Sequence, residues 1–171
     1  MTHETAAVEA GTLAGRRDFD FLFGEWRIAN RKLADPLAEE PTDWLEFEAT
    51  SAAGPILGGL GNYDTYSVPD FPGRGSFHGF TLRLFDPEAG LWRIWWASTE
   101  GRGQLDTPVV GRFSKGEGRF ECDDVIGGRA LKVRFDWKEI TSSSARWEQS
   151  FSFDGGQSFE TNWIMALTRI P

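Results

Sequence analysis

The chain has 171 residues, a formal net charge of −8, eight tryptophans and fourteen phenylalanines. That length supports a single domain with a full core. Its basic residues are scattered singly or in short pairs, which excludes the concentrated positive field that nucleic acid or an anionic membrane surface requires.

Residues 1–14 read as a flexible N-terminal tail ahead of one domain, 15–171. The first twenty residues contain Glu4, Glu9, Arg16 and Arg17 and no apolar centre, so no signal peptide is read. No run approaches the roughly 18 apolar residues of a membrane span, and a cytoplasmic location is expected. Asp18 to Phe23 is too short and too aromatic for an independent helix and predicts a short helical turn plugging one end of a barrel.

Ten stretches of alternating polarity follow, at 25–33, 42–50, 56–65, 78–85, 91–98, 108–113, 118–125, 130–138, 144–153 and 159–169. Turn residues stand between most of them, and a period of two specifies strands with one face against a core. The predicted fold is therefore all-β, a single antiparallel barrel. Segment 66–76, with Pro69, Pro72, Gly73 and Gly75, is the longest irregular stretch after the tail and predicts a lid or a crossover.

Three hairpins can be registered. Taking Asp86 to Gly90 as a turn pairs Phe85 with Leu91 and sets Phe80, Leu82 and Leu84 beside Trp96, Ile94 and Trp92 on the inner face. Arg83 and Arg93 then lie side by side outside, an unfavourable pairing unless hydrated or sharing an acid, with Thr81 near Trp95. Gly127-Gly128 suits a two-residue primed turn, pairing Phe120, Cys122 and Asp124 with Phe135, Val133 and Leu131 inside, and Glu121 with Arg134 and Asp123 with Lys132 outside. Around Gly155-Gly156-Gln157, Phe153 faces Phe159, Phe151 faces Thr161, Gln149 faces Trp163 and Trp147 faces Met165.

The third face points most directly to function. Gln149 and Thr161 stand among aromatic rings and a thioether, and a buried amide needs hydrogen-bond partners from protein, water or ligand. Trp92, Trp96, Trp147, Trp163 and Met165 are the expected walls of a cavity for a small, partly apolar molecule, aromatic or carboxylate-bearing, with Gln149 and Thr161 orienting it. His78, beginning a strand after the Pro/Gly segment, is the candidate ring donor at the mouth. Filling of the barrel by the same side chains is the competing reading.

Other signals are weaker. Cys122 is the single cysteine, which rules out an internal disulfide, and reads as a small buried hydrophobe. With His3 and His78 the only histidines, no cluster has metal-ligand spacing, and no metal or cofactor is expected. Gly58-Gly59-Leu60-Gly61-Asn62 lacks the following Lys-Ser/Thr of a phosphate loop. Asp123 and Asp124 are adjacent on a strand and point to opposite faces, while Glu148 and Glu160 register outside. Ser152 to Phe159 resembles an Asp-box hairpin in which Ser158 and Phe159 replace the usual Thr-Trp, and Asp154 is expected to fix the turn.

Gly24-Glu25-Trp26 resembles the Gly-x-Trp signature of the calycin and lipocalin superfamily. That resemblance implies a Trp covering one barrel end and packed on a late arginine, for which Arg169 is the candidate. Stretches 19–33, 79–98 and 147–169, with Asn162-Trp163-Ile164-Met165, look like the uncharacterised bacterial DUF1579-type group of calycin-like proteins, which implies the barrel and no defined activity. Haem-binding nitrobindins are similar in fold but use a late histidine, and no histidine follows His78 here.

Three functions compete: a binding barrel, an isomerase, decarboxylase or hydrolase-like enzyme using His78 or a carboxylate, and an interaction protein with a filled core. Trp95 falls on the polar face, so a homodimer covering it is expected.

Overall fold

A computed structural model of the protein describes residues 13–101 and 103–171. The expected tail, 1–14, lies almost wholly outside the described residues. A one-turn 3-10 helix, Asp20–Leu22, precedes ten strands: β1 (Gly24–Leu33), β2 (Trp44–Ile56), β3 (Gly61–Phe71), β4 (Gly75–Asp86), β5 (Leu91–Ser98), β6 (Val109–Ser114), β7 (Glu117–Ile126), β8 (Arg129–Lys138), β9 (Ser144–Ser152) and β10 (Glu160–Arg169). Each strand pairs antiparallel with its chain neighbours, and β10 pairs with β1 to close the barrel. Closure leaves no edge to template aggregation.

The alternation foreseen in the sequence sets the inside. On β1, Trp26, Ile28 and Asn30 are buried while Arg27, Ala29 and Arg31 are exposed. One end is filled. Phe19, fully buried, meets Trp92 edge-on at 5.0 Å and Phe113 at 4.9 Å, and stacks on Phe120 at 5.7 Å. Trp26 Nε1 donates to Leu22 O at 2.8 Å and ties the 3-10 turn to the first strand. Arg169 completes this floor: its guanidinium carbon sits 4.3 Å from the Trp26 ring centroid, while Nη1 and Nη2 donate to Phe23 O and Phe21 O at 2.6 and 2.5 Å. Gly24 is required there, because a Cβ would lie 2.8 Å from Arg169 Nη1 and its φ is +115°.

The Gly127-Gly128 hairpin has the expected register, and its outer pairs are ion pairs, Arg134–Glu121 at 2.7 Å and Lys132–Asp123 at 2.6 Å. The first hairpin is shifted by one residue. Asp86 pairs with Leu91, and Phe85 with Trp92, because Asp86 ends the strand while its side chain accepts the N–H groups of Glu88 and Ala89. A one-residue slip exchanges faces: Thr81, Arg83 and Phe85 point inward, and Phe80, Leu82 and Leu84 outward. Arg83 and Arg93 are not neighbours; each has its own acid, Asp64 and Asp86.

In the third hairpin Gln149–Trp163 and Trp147–Met165 are paired as expected. A bulge between Thr161 and Trp163 absorbs Asn162, so Thr161 lies opposite Ser150 and Glu160 opposite Phe151. Segment 66–76 is neither lid nor crossover, since β3 runs to Phe71 and β4 starts at Gly75. The glycine-rich 58–62 segment makes the β2–β3 turn, and its Gly58 and Gly59 carbonyls accept the Arg16 guanidinium. Asp154 fixes its hairpin by accepting from Ser152 Oγ, Ser158 N and Ser158 Oγ at 2.8, 2.9 and 2.6 Å.

The wall is uneven. The β5–β6 ladder is confined to Trp92–Ile94 against Val109–Gly111. Beyond it, Asp106 N donates to Trp96 O at 2.8 Å, and Thr107 Oγ1 donates to Asp124 Oδ1 at 3.2 Å. At the end away from the floor, the β1–β2 connection reaches the β7–β8 turn, where Leu37 O accepts from Arg129 Nη1 at 3.5 Å.

Candidate functional site

Above the aromatic floor the barrel holds a cavity of about 250 Å3. Trp96, Trp147, Trp163, Met165 and Gln149 line it, as the sequence predicts. The indoles meet almost at right angles, Trp96 on Trp163 at 6.2 Å and Trp147 on Trp163 at 5.5 Å, so different walls present a ring face and a ring edge. The Trp163 ring is fixed by a bond from Nε1 to Asn30 Oδ1 at 3.0 Å, and the same oxygen accepts the Tyr66 hydroxyl at 2.7 Å. Burial raises the Tyr66 phenol far above its ordinary range, so the hydroxyl stays protonated and donates.

Three sequence candidates lie elsewhere. Trp92 belongs to the floor, with Nε1 donating to Gly15 O at 3.1 Å. Thr161 is carried outside by the bulge, and its hydroxyl bonds Ser150 Oγ at 3.1 Å. His78 is exposed on the outer face of β4, with Nδ1 at 3.3 Å from Ser67 Oγ. Asn162, the bulged residue, is buried behind the wall, and its Oδ1 accepts from Gln149 Nε2 at 2.8 Å.

The sequence reading missed the polar wall. Asp64 and Arg83, both lining the cavity, form a buried pair at 2.5 Å; Thr81 Oγ1 donates to Asp64 Oδ1 at 3.2 Å and Arg83 Nη1 to Asn62 Oδ1 at 3.1 Å. Lys32, the last inward residue of β1, holds Nζ 4.6 Å from the Trp163 centroid, and burial lowers its pKa. Across the cavity stand Asp106 and Asp124. Burial, then the Asp124 charge, raises the Asp106 carboxyl above its ordinary value. The missed signal was phase: Asn30 and Lys32 continue the alternation of Trp26 and Ile28, as Asn62 and Asp64 continue that of Tyr66 and Val68.

Cys122 also lines the cavity. Burial, followed by the charges of Asp124 and Asp123, pushes its thiol up to about 11, so it is a neutral wall group. Among the described residues no group of three His, Cys, Asp or Glu side chains is arranged to hold a metal ion. Glu148 is held on the outer face by Lys138 and Arg146 at 2.6 and 2.7 Å.

No protein-family model matches the chain, and no curated protein is significantly similar to it in sequence. Solved structures share its fold, among them the following two. The S-type phycobiliprotein lyase CPES from Guillardia theta superimposes with a TM-score of 0.63 at 8% identity, covering 100% of this chain and 99% of that one. Rv2717c from M. tuberculosis superimposes with a TM-score of 0.59 at 13% identity, covering 92% of this chain and 98% of that one. At such identities the likeness is one of barrel architecture, and the calycin, lipocalin and DUF1579-type assignments are not identified by these comparisons.

Proposed function

We propose that the protein is a binding barrel for a compact, partly apolar aromatic metabolite. The observation that carries this reading is the cavity of about 250 Å3, walled by three indoles and served by convergent polar groups. Pockets of this type, mostly apolar with a few placed donors and acceptors, are the physical form of small-molecule sites. Its volume favours a ligand of one or two rings over a long acyl chain. The Gly24–Trp26–Arg169 clasp supports a calycin-like affiliation within the same proposal.

The test is native mass spectrometry of freshly purified protein followed by titration of its tryptophan fluorescence with small aromatic metabolites. A retained ligand, or saturable quenching weakened about tenfold in Gln149→Leu, supports the reading. Absence of both across a broad set refutes it. Acid–base catalysis in the same cavity is a second reading, favoured by the raised Asp106 carboxyl; turnover with a bound ligand, abolished in Asp106→Asn, would distinguish it.

A further inference from the structure

The cavity carries opposite charges on opposite walls. Asp64 and Arg83 neutralise each other, which leaves Lys32 on one side and Asp106 and Asp124 on the other as its remaining charged lining groups. In the strand order β1, which bears Lys32, lies diametrically across the barrel from β6, which Asp106 precedes, and β7, which bears Asp124, adjoins β6. Among the described residues none of the three makes an ion pair. The two charges that act on Lys32, those of Arg74 and Glu100, are already paired with each other at 2.6 Å. Asp124 Oδ1 is engaged by Val125 N–H and the Thr107 hydroxyl, which hold the carboxylate in place without neutralising it.

Opposite charges on facing sides of the cavity, Lys32 and Asp124 half-buried and Asp106 exposed at its rim, set up a field that aligns a dipolar guest. A neutral apolar guest would strip water from the half-buried Lys32 and Asp124 without replacing it. A simple anion meets the two carboxylates, and a simple cation meets Lys32. A guest charged oppositely at its two ends satisfies both walls, while Trp96, Trp147 and Trp163 contact its middle. We infer that the cavity selects a compact aromatic zwitterion, its ammonium toward Asp106 and Asp124 and its carboxylate or similar anion toward Lys32. This inference rests on the binding reading above and names the ligand class for it.

The probes are four substituted benzenes of similar size: para-(aminomethyl)benzoate, benzylamine, para-toluate and para-xylene, titrated by fluorescence and calorimetry. The wild type is expected to bind the zwitterion about tenfold more tightly than either singly charged compound, one placed charge contact each. Lys32→Met should bring the zwitterion to the level of benzylamine. Asp106→Asn with Asp124→Asn should bring it to the level of para-toluate, and thermal unfolding checks that each variant is folded. If para-xylene or a singly charged compound binds as tightly as the zwitterion, the charge assignment is overturned while the binding barrel stands. If none of the four binds, this inference is overturned, and the binding reading is decided separately by the retained-ligand and broad-set measurements above.

Discussion

Replacing Asp64 with asparagine should destabilise the fold by about 3 kcal/mol although it scarcely changes side-chain volume. Asp64 and Arg83 are 7% and 4% exposed, and the arginine bonds Asp64 Oδ2 and Asn62 Oδ1. Removing one member of a buried pair leaves the other charge uncompensated, at about 3–5 kcal/mol. The asparagine oxygen still accepts a neutral hydrogen bond and recovers about 1 kcal/mol of that. Arg83→Met alone strands the carboxylate and should cost a similar amount, since the methionine replaces the apolar stem. The double variant removes both charges and should lie within about 2 kcal/mol of the wild type, a strongly non-additive cycle. Urea unfolding of the four proteins at one pH, with unchanged m-values, measures this. If the double variant loses the sum of the two single losses, the side chains do not compensate each other and the account of the polar wall is wrong.

The floor clasp gives a second prediction: Gly24→Ala drives a methyl group into the Arg169 guanidinium at a φ of +115°, costing about 2 kcal/mol. Combined with Arg169→Met the loss should be less than additive by calorimetry, and full additivity would refute the coupling. The Asp154 carboxyl is held well below its ordinary value, first by the Ser158 hydroxyl and then by Ser158 N–H and Ser152. Its contribution to stability is therefore present above the unfolded carboxylate range and is lost as pH falls toward its folded value. Asp154→Asn should flatten the acid limb of a stability–pH profile, and an unchanged limb would contradict the assignment. On the outer face Trp95 lies beside Leu82, which lies beside Tyr63, and we propose a homodimer covering this apolar strip. Trp95→Glu should shift sedimentation toward monomer; a monomeric wild type rules the dimer out.

The strand count is legible, as is the inner face of β7 and β8, because apolar residues there keep a strict period of two across the Gly127-Gly128 turn. On β4 the same rule misled. Phe80, Leu82 and Leu84 are more apolar than Thr81 and Arg83, so apolarity selected the wrong face. The interior partners that make Thr81 and Arg83 acceptable inside, Asp64 and Asn62, belong to β3 and become visible only through pairing. Asp86 compounded the error, because it ends a strand and also caps a turn through its side chain. Thr161 was displaced by the bulge at Asn162, which has no glycine or proline to announce it. Trp147, Trp163, Met165 and Gln149 are placed inside because their hairpin register is fixed beyond that bulge.

Most chains loosen from their ends inward. Here the first and last strands are stitched together from Trp26–Arg169 to Lys32–Trp163, so neither extremity of the sheet can peel away alone. The shortest seam lies mid-sequence, between β5 and β6. Partial opening should start there, and the amides of Ile94 and Gly111, which face each other's strands across that seam, should exchange with solvent sooner than those of the terminal strands. The barrel unzips from its middle.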